Sequence, residues 1–374
     1  MNRRLYYDVI IVGAGPAGIG LGALFKQMGL KNFLLLERDA IGSSFKKWPE
    51  ETRLLTPSFP GHGFGLLDLN AVVPSTSPGY TFQTEHLSGE EYADYLEAVA
   101  QHFELPIKFG VHVTGLDKLE EGFAIETHDG DYEAKFVVWA CGEFQYPHNN
   151  GFPGAKLCLH TSNVASWGDI EDDEVIVIGG YESAIDAAIN LIHYGKKVTV
   201  LSRGAVWEDD NPDPSIALSP FTFDRLNEVI DDEALTLKRN CTVNRVEQTE
   251  EGYLISLEGG EVIFSSSRPI LATGFRSSLS LIIEHFSYDE NNMIKLTELD
   301  ESTVSEGLFL IGPQVRHKEV IFCFIYKFRQ RFAVVAREIG KQLGMELNDE
   351  VFEEYRRSNM LLDDLSCCDN SCQC

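Results

Sequence analysis

The sequence predicts an α/β protein built from two doubly wound domains, and three observations predict it. An apolar run at residues 9–12 leads into Gly13, Gly15 and Gly18 at G-x-G-x-x-G spacing. A second strand–glycine turn–helix–strand unit recurs over residues 174–201. Each unit is followed by a β-rich stretch that closes on a short apolar strand and a glycine.

In the first unit Gly13 permits the tight turn and Gly15 lets the backbone approach a pyrophosphate. Gly18, after Pro16 and Ala17, lets a helix over 19–28 pack close to the strand. Free N–H groups and the positive helix end then face the phosphates. The second strand, 33–36, ends in Glu37 and Arg38, about 20 residues past the glycines, where a carboxylate accepts hydrogen bonds from a ribose. Strand, helix, strand and acid in register make this a dinucleotide site. Strands follow at 107–113, 123–127 and 136–142 (FVVWACG), the last ending in Gly142. Segment 143–168, rich in Pro, Gly and Asn, reads as the crossing between domains.

The second unit reads as a strand at 175–178, a turn at Gly179 and Gly180, a helix over 183–194 and a strand at 198–201. Its β stretch runs through 235–239, 253–257 and 270–274 (ILATG), ending in Gly274, with a second crossing near 275–280. One more strand at 307–312 (GLFLIG) ends in Gly312. A long helix is expected over 320–343, its stripe of Phe324, Phe328, Phe332 and Val335 forming core, and an acidic helix over 349–362 precedes a cysteine tail. The expected boundaries are 1–150, 151–275, 276–347 and 348–374.

The 374 residues suffice for two domains with cores of their own, and a 44% hydrophobic content is that of a globular chain. Net charge is −27, from 58 acids against 31 bases, which repels nucleic acid and anionic membranes. No apolar stretch reaches spanning length, and the first strand opens within six residues, leaving no room for a signal peptide. The eight cysteines do not form a secreted framework, since half crowd into the last eight residues. The expectation is a soluble cytoplasmic protein in a reducing compartment, with no nucleic-acid or membrane partner.

With these residues the chain resembles the flavoproteins that carry two dinucleotide-binding domains, over nearly all of 5–345. The strand ends WACG (139–142) and LATG (271–274) match that superfamily's chain crossings. The resemblance implies two Rossmann-like domains, an NAD(P)-binding domain inserted into an FAD-binding domain, with FAD on the first glycine unit and NAD(P)H on the second. The segment 42–59, including Trp48, resembles the flavin-facing stretch of class B flavin monooxygenase-like members. Phe152-Pro153-Gly154 followed by His160, Ser162 and Trp167 is loosely similar to their signature, at a spacing that departs from the Baeyer–Villiger pattern. IGGYESAIDAA (178–188) and IFCFIYKFRQRF (321–332) are similar to CzcO-like flavoproteins associated with cation efflux and to bacillithiol disulfide reductases. Possible homodimerisation follows from such relatives.

Four departures from the family pattern shape the functional reading. At the second turn Tyr181 replaces the middle glycine, while Gly179, Glu182, Ser183 and Asp186 remain. Either the ring swings aside or stacks on the cofactor, or nicotinamide binding is weakened. After the second strand Ser202-Arg203 replaces an acid, which suits a ribose 2′-phosphate and favours NADPH over NADH; a plain surface arginine is the alternative. Gly312 is followed by Pro313 where the family has an aspartate for the flavin ribityl chain, a contact left to Gln314 or a backbone N–H. The helix that follows is expected to aim its positive end at the flavin's pyrimidine edge. Finally, the first turn has Ala17 in place of a cysteine and no C-x-x-C occurs, which disfavours a standard disulfide reductase; Cys141 and Cys158 read as small buried hydrophobes.

The tail thiols Cys367, Cys368, Cys372 and Cys374 have no apolar residue among them to pack. They read as a soft-metal site, as a mobile redox tail passing electrons to a disulfide or metal, or as incidental thiols. His160 reads as near the flavin or structural, Arg316 and His317 as active-site lining or surface, and 213–222 as an ordered loop or solvated lid. The resemblance implies an FAD-dependent NADPH oxidoreductase acting on a small molecule, monooxygenase-like, with a flavin hydroperoxide oxygenating an N or S nucleophile. The alternatives are a thiol, disulfide or metal(loid) reductase using the tail, and an FAD-bearing redox sensor or metal-resistance accessory protein.

Overall fold

The computed structural model describes residues 5–59, 68–128, 130–318 and 320–366. They form two compact units. Unit 1 holds the residues up to Lys46, Pro57–Glu143 and those from Ser277 onward; unit 2 holds Lys47–Thr56 and Phe144–Arg276. Among the described residues the chain thus passes between units four times, at 46/47, 56/57, 143/144 and 276/277.

Unit 1 begins with β1 (Leu5–Val12), α1 (Pro16–Gln27) and β2 (Phe33–Leu36). It continues through α2 (Pro78–Phe82), α3 (Gly89–His102), β3 (Ile107–Lys108), β4 (Val113–Lys118), β5 (Phe123–Thr127) and β6 (Tyr132–Trp139). In unit 2 come β7 (Leu159–His160), β8 (Glu174–Ile178), α4 (Glu182–His193), β9 (Lys197–Leu201) and α5 (Pro220–Val229). There follow β10 (Leu235–Lys238), β11 (Val243–Gln248), β12 (Tyr253–Leu257), β13 (Val262–Ser265) and β14 (Ile270–Leu271). The return to unit 1 adds β15 (Ser287–Tyr288), β16 (Ile294–Lys295), β17 (Leu308–Leu310), β18 (Arg316–His317) and β19 (Val320–Ile321). It closes with α6 (Ile325–Phe328), α7 (Phe332–Gln342) and α8 (Asp349–Arg357).

The main sheet of unit 1 has the order β3-β2-β1-β6-β5-β4, with β17 also on β6. β1 pairs in parallel with β2 (Val12 opposite Leu36) and with β6 (Val12 opposite Trp139). The first half of β6 takes β5 antiparallel, and its second half takes β17 in parallel. Val9, Ile10 and Ile11 are fully buried, as a strand covered on both faces requires.

Unit 2 carries a parallel sheet, β10-β9-β8-β14-β7, and an antiparallel sheet, β11-β12-β13. Alternation along β8 builds two cores. Val175 and Val177 join the apolar face of α4, with Ala184, Ile185 and Ile189. Ile176 and Ile178 join Val246, Ile255 and Leu257 of the antiparallel sheet.

Helix positions differ from expectation where long-range pairing or capping decides. The helix expected from 320 begins at Ile325, because Val320–Ile321 pairs with Arg316–His317 as a hairpin. That hairpin is anchored by His317 Nε2 on the buried carboxylate of Asp300, which Arg331 also grips at 2.8 and 3.1 Å. The loop expected over 213–222 gives way to α5 at Pro220, where Ser219 accepts from Thr222 N and proline fills the first helical position. The acidic helix ends at Arg357.

Candidate functional site

In unit 1 the first glycine turn is shaped as its spacing demands. Gly13 sits at φ +108°, and a Cβ there would lie 2.7 Å from the Ala140 carbonyl oxygen. A Cβ on Gly18 would lie 2.0 Å from the carbonyl oxygen of Gly13, so only glycine lets α1 start this close to the turn. A Cβ on Gly15 would meet nothing within 4 Å. Gly15 is also the N-cap of α1, with no side-chain cap and a proline following it, so the helix end faces open space. Glu37, 8% exposed, accepts from Ala14 N and Asp39 N, both at 2.8 Å, which fixes its carboxylate beside the turn. An open uncapped helix end beside a fixed carboxylate fits a nucleotide pyrophosphate and ribose.

The other unit 1 candidates lie around this turn or away from it. Ala17 is buried, and a Cβ on Gly312 (φ +100°) would touch its methyl at 3.5 Å. Gly142, at φ +60°, closes the segment after β6. Arg38 pairs with Asp39 at the surface. Cys141 places its thiol on Val12 O at 3.4 Å; burial, and then the Glu37 carboxylate, push its pKa far up. Gln314 donates to Ser277 Oγ (2.7 Å) and accepts from Ser278 Oγ (3.2 Å), which also accepts from Trp139 Nε1. The Gln314 amide is thereby bound within the chain. Arg316 donates to the carbonyls of Pro313 and Val315. Burial pushes the Glu143 carboxyl up, and the charge of Arg316 opposes it.

Unit 2 holds a cavity of about 640 Å³ at the ends of its parallel strands, lined by both glycines of the second turn and by Ser183, Ser202, Arg203 and Gly274. Gly179 sits at φ +133°, where a Cβ would lie 2.2 Å from Ala272 O, and a Cβ on Gly180 would lie 1.9 Å from Ser202 Oγ. Ser202 is buried and Arg203 is exposed. Tyr181 packs its ring against the α4 core and donates its hydroxyl to Pro214 O, while still forming part of the cavity wall. Glu182 accepts from Ser219 N and from Thr222 Oγ1 (2.5 Å); burial pushes its carboxyl up and these donors oppose it. Ahead of Ser219, Asp209, Asn211 and Asp213 each accept from the backbone N–H two residues on, so 209–215 is a series of side-chain-closed turns.

His160 is held through both ring nitrogens. Its Nδ1 accepts from Ser162 N (3.2 Å), so its Nε2 is the atom that donates to Gly274 O (3.0 Å) on the cavity wall. Burial lowers its pKa below the usual histidine value, and nearby His148 adds to this. Trp48 is half-buried and lies in the unit 2 segment Lys47–Thr56. In that segment Glu51 accepts from Ser166 Oγ (2.6 Å), Trp167 N (3.1 Å) and Tyr194 OH (2.9 Å). Burial alone would raise the Glu51 carboxyl, but these donors hold it below its ordinary value. Thr52 reaches Asp186 of α4 (2.9 Å), which also binds Arg225 (2.7 Å). No local pattern marks Glu51 or Asp300 in the sequence, since both act on groups more than 15 residues away along the chain. Cys367, Cys368, Cys372 and Cys374 lie outside the described residues.

A family model for pyridine nucleotide-disulphide oxidoreductases matches residues 10–312. The chain belongs to this family. Its members, and this chain with them, are flavin-dependent oxidoreductases that use flavin and a nicotinamide cofactor. The CzcO-like oxidoreductase of Geobacillus kaustophilus is 30% identical over 49% of this chain and 51% of its own, so that match spans about half of either protein. CzcO of Bacillus subtilis is 26% identical over 83% of this chain and 93% of its own. Among solved structures, bacillithiol disulfide reductase Bdr from Staphylococcus aureus superposes with a TM-score of 0.76 at 20% identity, covering 90% of this chain and 99% of that one. A flavin-containing monooxygenase from Stenotrophomonas maltophilia gives 0.69 at 16% identity, covering 91% and 99%. At these identities the structures establish the two-domain Rossmann-type fold. Among the described residues no helix is long and apolar enough to cross a membrane.

Proposed function

We propose that this family member is an NADPH-dependent FAD monooxygenase acting on a small nitrogen or sulfur nucleophile. NADPH and a proton supply the two electrons and hydrogens; one atom of dioxygen goes to the nucleophile and the other leaves as water. Bound FAD would supply the oxygen-activating chemistry. The chain's own residues bind and orient. Gly13, Gly15 and Gly18 with the start of α1 would hold the FAD pyrophosphate, and Glu37 its ribose. Gly142 and Gly312 are proposed around the flavin. Gly179, Gly180, the backbone of Tyr181 and Glu182, and Ser183 would hold the NADPH pyrophosphate, with Gly274 on the opposite wall. Ser202 and Arg203 would meet its 2′-phosphate.

The observation that carries the oxygenase reading is the state of the thiols. Ala17 stands in the first turn, and burial pushes up the Cys141 thiol, Cys158 to about 11, and Cys241. A thiol held protonated in this way is a poor nucleophile for a disulfide, which weighs against Cys141, Cys158 and Cys241 as disulfide-reducing groups and supports dioxygen as the acceptor. The packing of Tyr181 against the α4 core supports NADPH binding over a closed second site.

The second reading, a thiol, disulfide or metal(loid) reductase, draws on the four tail cysteines and on the similarity to a bacillithiol disulfide reductase. Under it the tail binds a soft metal or carries electrons outward. The test is NADPH oxidation by the purified flavoprotein with amine or sulfide nucleophiles under air, and with disulfides under argon. Oxygenated product formed one-to-one with NADPH supports the first reading. Anaerobic disulfide turnover that is lost on deleting residues 366–374 supports the second and overturns the first.

A further inference from the structure

We infer that Asn244 and Glu258 read the amino edge of a 6-aminopurine, making the unit 2 site selective for the adenine of its dinucleotide. The inference rests on the nucleotide reading of that cavity. The turn proposed for the ribose and the wall that carries these two residues are continuous: Cys241 N donates to Ser202 O, and Glu258 N donates to Thr242 O, both at 2.8 Å. A nucleoside whose ribose lies at Ser202 and Arg203 would have residues 241–244 and 258 of the same cavity wall within its reach, and we place its base there.

Asn244 reaches that wall through a bulge. Val243 pairs with Leu257, but the next pair is Arg245 with Ser256, so the register shifts at Asn244 and takes it out of the ladder. Bulges of this kind re-aim a side chain. Asn244 and Glu258 both line the cavity and are exposed. Among the described residues neither side chain has a hydrogen-bond or ionic partner. The opposite wall differs, since Thr273 already donates to His148 O at 2.7 Å.

The chemistry then selects the ligand edge. A carboxylate only accepts, so Glu258 needs a donor, and it repels a phosphate, which belongs on the Arg203 side. Adenine offers its exocyclic N6–H₂ as donor beside ring nitrogens that accept. A carboxamide such as Asn244 meets both kinds of group, the pairing used when asparagine reads adenine in nucleic acids. A 6-oxopurine replaces that amino donor by a carbonyl oxygen and leaves only its ring N1–H to donate, so against Glu258 it is disfavoured.

The experiment is calorimetric titration of the FAD-loaded protein with NADP⁺ and with nicotinamide hypoxanthine dinucleotide phosphate, with the corresponding NAD⁺ pair in parallel. The wild type is expected to bind the hypoxanthine forms about tenfold more weakly, the scale of one charge-assisted hydrogen bond. In Glu258→Gln the new amide donates to the 6-oxo group, and the ratio should fall below about threefold. Equal binding of amino and oxo forms by the wild type overturns the inference and leaves the nucleotide site standing. Full discrimination retained by both Glu258→Gln and Asn244→Ala removes these residues from base reading. Binding of none of the four compounds overturns the nucleotide reading and the inference with it.

Discussion

Gly15→Ala separates flavin binding from folding. The added methyl would meet no protein atom within 4 Å, and Gly15 already sits at φ −81°, which alanine adopts freely. Replacing a glycine at a compatible angle stabilises by about 0.4–1 kcal/mol through the unfolded chain. Alanine is the poorer N-cap, by a similar few tenths to about 1 kcal/mol. The two nearly cancel, so the melting temperature of the flavin-free protein should move by no more than about 2 °C. The methyl occupies the open space where the backbone would meet a pyrophosphate, however, and FAD dissociation should become at least about tenfold easier. Gly18→Ala is the contrast, because its Cβ would lie 2.0 Å from a backbone carbonyl oxygen and must push α1 off the strand. That strain should cost the fold itself about 1–3 kcal/mol. The assay is equilibrium FAD binding to apoprotein by flavin fluorescence, alongside thermal denaturation of the same samples. A Gly15→Ala protein that binds FAD as the wild type does would refute the placement of the pyrophosphate at this turn.

Three further outcomes follow from the same geometry. Arg203→Ala should raise the NADPH dissociation constant about 10–100-fold and leave NADH nearly unchanged, as loss of a guanidinium–phosphate contact does; equal effects on both cofactors would return Arg203 to the plain surface. Because the folded pKa of His160 is depressed, its neutral form contributes stability that is present above the unfolded value near 6.5 and lost as pH falls through the folded pKa. Melting curves across that window should therefore show a decline that His160→Gln removes, and an unchanged slope in the variant would assign the decline elsewhere. Asp300→Asn leaves the buried charge of Arg331 and the ring of His317 without their carboxylate, a loss of about 3–5 kcal/mol; urea denaturation showing less than about 1 kcal/mol would mean the cluster rearranges.

What the sequence makes legible is what local chemistry determines. The two glycine units are visible because a buried parallel strand, a turn that needs glycine and a close-packed helix each leave residues in fixed register. Gly13 and Gly179 both take positive φ against a neighbouring carbonyl. Helices α3 and α5 also carry local signals, a capping box at Ser88 and Glu91 with Tyr92, Tyr95, Leu96 and Val99 buried at helical spacing, and the Ser219-Pro220 start. The hairpin that delays α6 is different. Val320 and Ile321 continue an apolar helical pattern, and only pairing with Arg316 and His317, held by Asp300, makes them strand. Tyr181 shows the same limit: the sequence states that a ring is present, while its direction depends on the α4 core and on Pro214.

The ten-residue visit of Lys47–Thr56 to unit 2 means that this unit is not a cassette. A fragment cut at 144–276 would retain a continuous chain, but would lose the Glu51 carboxylate that serves Ser166, Trp167 and Tyr194. It would also strip Thr52 from Asp186, on the helix that opens at the cavity. Grafting this nucleotide module into another scaffold would thus require two separate splices. Any lineage that exchanged the module by recombination would have needed a compatible short insert far upstream, which ties the evolution of the two segments together.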